Sequence, residues 1–182
     1  TRRLAPPADA GRDWPYPVRI VCHDGFHVEV NGHPPAAGRK AQQKPLELLR
    51  LLAARPEGWL GREQVMDRLW PEADGDAAAA SLNTTLHRLR RLLGRDEAIL
   101  LQDGTVALNP AVCSWDTHWI ERDLATLSAA LIEERPPALW QAALERLIDS
   151  YRRPLLAGFE DAWIEAERER SRRRYLGVLA PT

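Results

Sequence analysis

The sequence reads as an α+β domain followed by an all-α one, on three grounds. Apolar residues before position 31 alternate with the period of strands, whereas the leucines from Leu46 to Leu93 recur at helical spacing. An Asp103-Gly104 pair then sits between two short strand-prone runs, the signature of a β-hairpin. Beyond Pro110 the pattern is helical to the end.

Taken in order, the first seventeen residues, TRRLAPPADAGRDWPYP, hold four prolines and no sustained periodicity, and 1–17 reads as a flexible arm or linker. Val18, Ile20 and Cys22 alternate with Arg19 and Val21, and Phe26, Val28 and Val30 alternate with His27 and Glu29, which predicts two half-buried strands. Asn31-Gly32 supplies the positive-φ pair that a tight hairpin needs. The stretch NGHPPAAGRK is expected to return as a short edge strand, its paired prolines discouraging further pairing.

From Lys44 the period changes. Leu46, Leu49, Leu52 and Ala53 predict a first helix that ends at Arg55-Pro56 and Gly58. A second helix over 62–70 buries Val65, Met66, Leu69 and Trp70 and stops at Pro71. The third, over 77–93, has Asp76 as its expected N-cap, a stripe of Leu82, Leu86, Leu89 and Leu93, and Gly94 as its terminator. Runs 99–102 and 105–109 flank the Asp-Gly turn. Sheet, three helices and a wing hairpin over 18–110 make a winged helix-turn-helix, in which the third helix reads DNA. Helices expected over 115–126, 137–151 and 159–178, divided by Arg135-Pro136-Pro137 and Arg153-Pro154, make 111–182 a separate helical domain. Helix pairs of this size stack in tetratricopeptide-like arrays, although no 34-residue self-similarity is visible. The missing initiator Met and the ragged end at Pro181-Thr182 read as a piece of a longer chain, the helical domain truncated.

Composition narrows the function. With 45% apolar residues in 182 the chain can bury a core. It has no apolar run near the roughly 18 to 20 residues of a membrane span and no apolar signal core. Cys22 and Cys113 alone exclude a disulfide scaffold, and a cytoplasmic location, on the nucleoid when bound, is expected. The net charge of -1 hides a local contrast: 78–95 holds four arginines and no acid, whereas 57–76 holds six acids and two arginines.

On a helical wheel the third helix carries its leucines on one side and Ala80, Thr84, His87, Arg88 and Arg91 on the other, with Asn83 and Arg90 on one flank and Ser81 and Thr85 on the opposite one. Small and hydroxylated residues let a helix enter a major groove closely. Arginines can then fork onto guanine or phosphate. Any amphipathic surface helix can show such a face; the short helix before it, the hairpin after it and the absence of acids along it favour DNA. No active site is apparent. His23 and His27 flank a turn at Asp24-Gly25 rather than sharing a helical face, His33, His87 and His118 are isolated, and no phosphate loop, cysteine pair or nucleophile elbow occurs. Neither an enzymatic activity nor a metal or cofactor is expected. The alternative is a protein-binding module, with Trp115, Trp119, Trp140 and Trp163 serving an interface and the winged domain as scaffold.

The run from Val18 to Asn109 resembles the winged-helix output domain of OmpR-type regulators, most of all the variant in SARP-type transcriptional activators, through GREQVMDRLWP followed by AAASLNTTLHRLRRLLG. Downstream, SWDTHWIERDL and YRRPLLAGFEDAWIEAERERSRRRYLGVL resemble the bacterial transcriptional activator domain, including Tyr151, Pro154, Leu156, Trp163, Glu165 and Arg168. The resemblance implies a sequence-specific transcription factor, with double-stranded promoter DNA as its partner. Thr84, Arg88 and Arg90 fall where the family contacts bases or nearby phosphates; His87 and Arg91 join them from the helical wheel and Asn83 by adjacency. Lys40, Gln43, Lys44 and Arg62 are candidates for backbone contacts. The family also implies a regulatory helical domain, contact with the RNA polymerase sigma factor, a sensor or ATPase module on the same chain, and two head-to-tail copies on direct repeats. The wing, LLQDGTVALNP, departs from relatives that carry a basic residue there, since its tip holds Asp103, and this disfavours minor-groove reading.

Overall fold

The computed structural model describes residues 7, 10–35 and 43–179. Strand β1 (Val18–Val21) pairs antiparallel with β2 (His27–Val30), Val18 opposite Val30 and Ile20 opposite Val28. The Asn31-Gly32 turn has positive φ at both residues (54° and 83°), but the return is only a single bridge between Val30 and His33 in place of the expected edge strand; residues 36–40 lie outside the described ones. Helix α1 (Gln43–Ala53) follows with Pro45 in its first turn, where a missing N–H costs nothing. A short strand β3 (Trp59–Gly61) then leads into α2 (Arg62–Leu69). Helix α3 (Gly75–Leu93) is followed by a wing of β4 (Ile99–Gln102) and β5 (Thr105–Leu108), and β3 completes that sheet in the order β3-β5-β4. Asp103 and Gly104 take positive φ (49° and 73°), as a tight Asp-Gly hairpin requires.

Past the wing the chain recrosses the molecule. Strand β6 (Cys113–Trp115) lies parallel to β1, with Val18 opposite Cys113 and Ile20 opposite Trp115. Helices α4 (Asp116–Ile132), α5 (Gln141–Tyr151) and α6 (Ala162–Leu179) follow. They share a small core of Leu124, Leu127, Leu147 and Tyr175. The larger core holds the leucines of α1 and α3, both sheets, and also Leu155, Leu156 and Ile164. Helical and winged parts are therefore packed through one apolar interior.

Polar ties reinforce this junction. The Asp116 carboxylate, at the start of α4, accepts the N–H groups of Cys22 (2.9 Å), His23 (2.8 Å) and Thr117 (2.9 Å), closing the end of β1. Thr117 Oγ1 donates to the Ala53 carbonyl at 2.7 Å and Trp115 Nε1 to that of Arg55 at 3.1 Å, so both bind the end of α1. Arg50 lies over the rings of Phe26 (5.6 Å) and Phe159 (4.3 Å). The segment before β1, read from its prolines as a flexible arm, is held where it is described: Tyr16 is buried against Trp119, and Arg12 pairs with Asp123 at 2.5 Å.

Candidate nucleic-acid interface

Helix α3 owes its orientation to its leucines. Leu82, Leu86, Leu89 and Leu93 are all at most 2% exposed, and each buried leucine is worth about 1.5 to 3 kcal/mol over an exposed one. Burial of that stripe leaves Asn83, Thr84, His87, Arg88 and Arg91 exposed together along the opposite side. The helix and its cap start two residues earlier than expected. Asp74, not Asp76, is extended (φ -65°, ψ 164°), and its side chain accepts the Ala77 N–H at 2.8 Å. Gly75 adopts helical geometry, which moves Asp76 into the first turn, where its charge favours the helix dipole. Gly94 ends the helix in the left-handed conformation, donating to the carbonyls of Arg90 and Arg91.

The arginines of α3 divide into two kinds. Arg88 and Arg91 are exposed and have no ion-pair partner among the described residues, whereas Arg95, just past the helix, pairs with Glu97 at 3.2 Å. Arg90 is half-buried and spends its guanidinium on the Ile99 carbonyl, through Nη2 at 2.8 Å and Nε at 3.3 Å. Its donors face the wing. Thr84 Oγ1 donates back to the Ala80 carbonyl at 3.0 Å, which leaves the oxygen lone pairs of this exposed residue free to accept.

The candidates outside α3 are more scattered. Lys44 Nζ donates to the Leu69 carbonyl (2.8 Å), pairs with Glu47 (3.0 Å) and lies over the Trp70 ring (5.9 Å), so it fastens α1 to the end of α2. Gln43 is exposed at the first turn of α1. Arg62 opens α2, its backbone N–H bonded to the Gly104 carbonyl at 2.9 Å, which sets the start of α2 against the wing turn. Lys40 lies outside the described residues. Asp103 is exposed at the wing tip. No group of three or more His, Cys, Asp or Glu side chains that could hold a metal occurs among the described residues, and no described helix is long and apolar enough to cross a membrane.

A buried leucine stripe, an exposed basic one on the same helix, a short helix before it and a wing after it define a winged-helix domain of the type found in DNA-binding regulators. Residues 39–102 match the family described as "Transcriptional regulatory protein, C terminal", whose domain is the OmpR-like winged helix. No curated protein matches the chain. Among solved structures the chain is similar to Mycobacterium tuberculosis EmbR, solved in complex with a low affinity phosphopeptide, at a TM-score of 0.60 and 19% identity over 90% of this chain and 44% of that one. The chain spans under half the length of that protein. Residues 39–102 are thus similar to that winged-helix family, and the fold of the chain, winged part and helical extension alike, is similar to that of EmbR. Both findings agree with the SARP-type resemblance read from the motifs.

Proposed function

We propose that the chain is a sequence-specific transcriptional activator that lays α3 in the major groove of double-stranded promoter DNA. The exposed row of Asn83, Thr84, His87, Arg88 and Arg91 carries this reading. In it Arg88 and Arg91 supply charge and bidentate donors, while Asn83, Thr84 and His87 meet base edges and neighbouring phosphates. Gln43 and Arg62 add backbone contacts, as does Lys40; Lys44 and Arg90 hold the frame rather than the DNA. Residues 18–110 form the reading part and 111–182 the regulatory part, with no catalytic step assigned to either. Contact with the sigma factor, coupling to a sensor or ATPase module and pairing of two copies on direct repeats complete the proposal. The cytoplasm, and the nucleoid when bound, is its place.

The test is selection of bound sequences from a random duplex library. Enrichment of one motif is the expected result. Failure to enrich any motif even at low salt overturns the proposal in favour of the protein-binding reading. That second reading draws on the end of α4 and the turn after it, where Ile132 is 80% and Leu139 64% exposed.

A further inference from the structure

A cleft of about 310 Å³ opens between the end of β1 and the corner joining α5 to α6. That volume falls in the range of small-molecule sites, roughly 300 to 1,000 Å³. Three arginines line it, Arg153, Arg168 and Arg172, and no carboxylate does. Two of them are already spent. Arg168 donates to the carbonyls of Leu155 (2.8 Å), Leu156 (2.9 Å) and Phe159 (3.1 Å) and pairs with Glu165 at 2.9 Å, while Arg153 pairs with Asp149 at 2.8 Å. The Asp116 carboxylate, which contacts His23 of this lining, is occupied by the N–H groups of Cys22, His23 and Thr117. Arg172, one helical turn beyond Arg168, has no ion pair or hydrogen bond among the described residues and leaves a net positive charge at the cleft.

The remaining lining is aromatic and apolar with hydroxyl groups at its edge. Tyr151 and Tyr175 meet edge to face at 5.4 Å, Pro154 and Leu155 add apolar surface, and Ser150 Oγ and Tyr175 OH are bonded to each other at 2.8 Å. His23 belongs to the same lining. The chain is stitched there, with the Leu156 N–H on the Cys22 carbonyl (2.6 Å) and the Asp24 N–H on that of Pro154 (3.1 Å). A molecule in the cleft therefore touches the N-terminal sheet and the helical part at once.

We propose that this cleft binds a small organic anion, an aromatic body lying against Tyr151 and Tyr175 and a carboxylate or phosphate-monoester head on Arg172. A guanidinium without a partner, beside two tyrosine rings in a lining that holds no carboxylate, selects both halves of such a molecule. The proposal concerns binding alone and stands independently of the DNA reading.

Titration calorimetry on the intact chain with phenyl phosphate, benzoate, inorganic phosphate and benzyl alcohol tests it. One-to-one binding of phenyl phosphate or benzoate is expected, and whichever of the two is tighter identifies the head group. Inorganic phosphate and benzyl alcohol should bind about tenfold more weakly or worse. Arg172→Ala and Tyr151→Ala should each weaken the aromatic anion by about tenfold. Arg173→Ala, on a side chain 76% exposed and paired with Glu169 outside the cleft, should leave it unchanged. Absence of saturable binding by both aromatic anions, inorganic phosphate binding as well as phenyl phosphate, or equal losses in the Arg172 and Arg173 variants would overturn the proposal.

Discussion

Arg90 of α3 donates two hydrogen bonds to the carbonyl of Ile99, the first residue of β4, at 2.8 and 3.3 Å. This guanidinium ties the start of the wing to α3 beside its exposed row. Arg90→Ala is expected to lower unfolding stability by about 1.5 to 3 kcal/mol, the net worth of a hydrogen bond from a charged group, measured by urea denaturation. If Arg90 frames the interface rather than reading bases, the variant selects the same DNA motif as the parent with weaker affinity. A changed motif would show that it contacts bases.

Asp74 caps α3, so Asp74→Ala should cost about 1 kcal/mol. Asp76→Ala loses only a dipole interaction, about 0.3 to 1 kcal/mol and less for an exposed side chain. Thermal midpoints of the two variants compared side by side check the order. A larger loss at Asp76 would return the cap to that residue.

Gly58 has φ of +68°, and a Cβ there would lie 2.5 Å from Cζ2 of Trp115. Trp115 is itself buried and held by the Arg55 carbonyl, so it has no room to yield. Gly58→Ala therefore combines an unfavourable backbone conformation with overpacking, and a loss of about 2 to 4 kcal/mol is expected. Denaturant unfolding measures it.

Glu167 is only 5% exposed on α6 and pairs with Arg55 (2.6 Å) past the end of α1 and with Arg170 (3.0 Å) on its own helix. Removing it strands a mostly buried guanidinium. Glu167→Ala should destabilise by about 3 kcal/mol or more, whereas Glu169→Ala, which breaks the exposed pair with Arg173, should stay within about 0.5 kcal/mol. Equal effects in urea unfolding would mean that the Arg55 pair does not brace the two parts.

What the sequence made legible was short in range. The leucine stripe of α3 and the turns at Asn31-Gly32 and Asp103-Gly104 are local patterns, and each appears where its pattern requires. Strands β3 and β6 are three residues long, too short for any period, and β6 is created by pairing with a strand more than ninety positions earlier. The roles of Asp116, Glu167 and Arg50 are equally remote, because each acts on a segment that only folding brings near. The candidate interface shows the same division. Exposure of Asn83, Thr84, His87, Arg88 and Arg91 follows from a helical wheel, but the commitment of Arg90 to Ile99 and of Lys44 to Leu69 depends on neighbours that a wheel does not contain.

In the proposed function the exposed face of α3 reads DNA. Its most direct test compares the affinity of the parent and of an Arg88→Ala, Arg91→Ala double variant for the duplex the parent selects, with circular dichroism as the check on folding. Both side chains are exposed, so the variant should fold normally. Specific binding is expected to be lost and the salt dependence of any residual binding to become shallower, as fewer phosphates are neutralised. Undiminished affinity of a folded double variant for the same motif would contradict it.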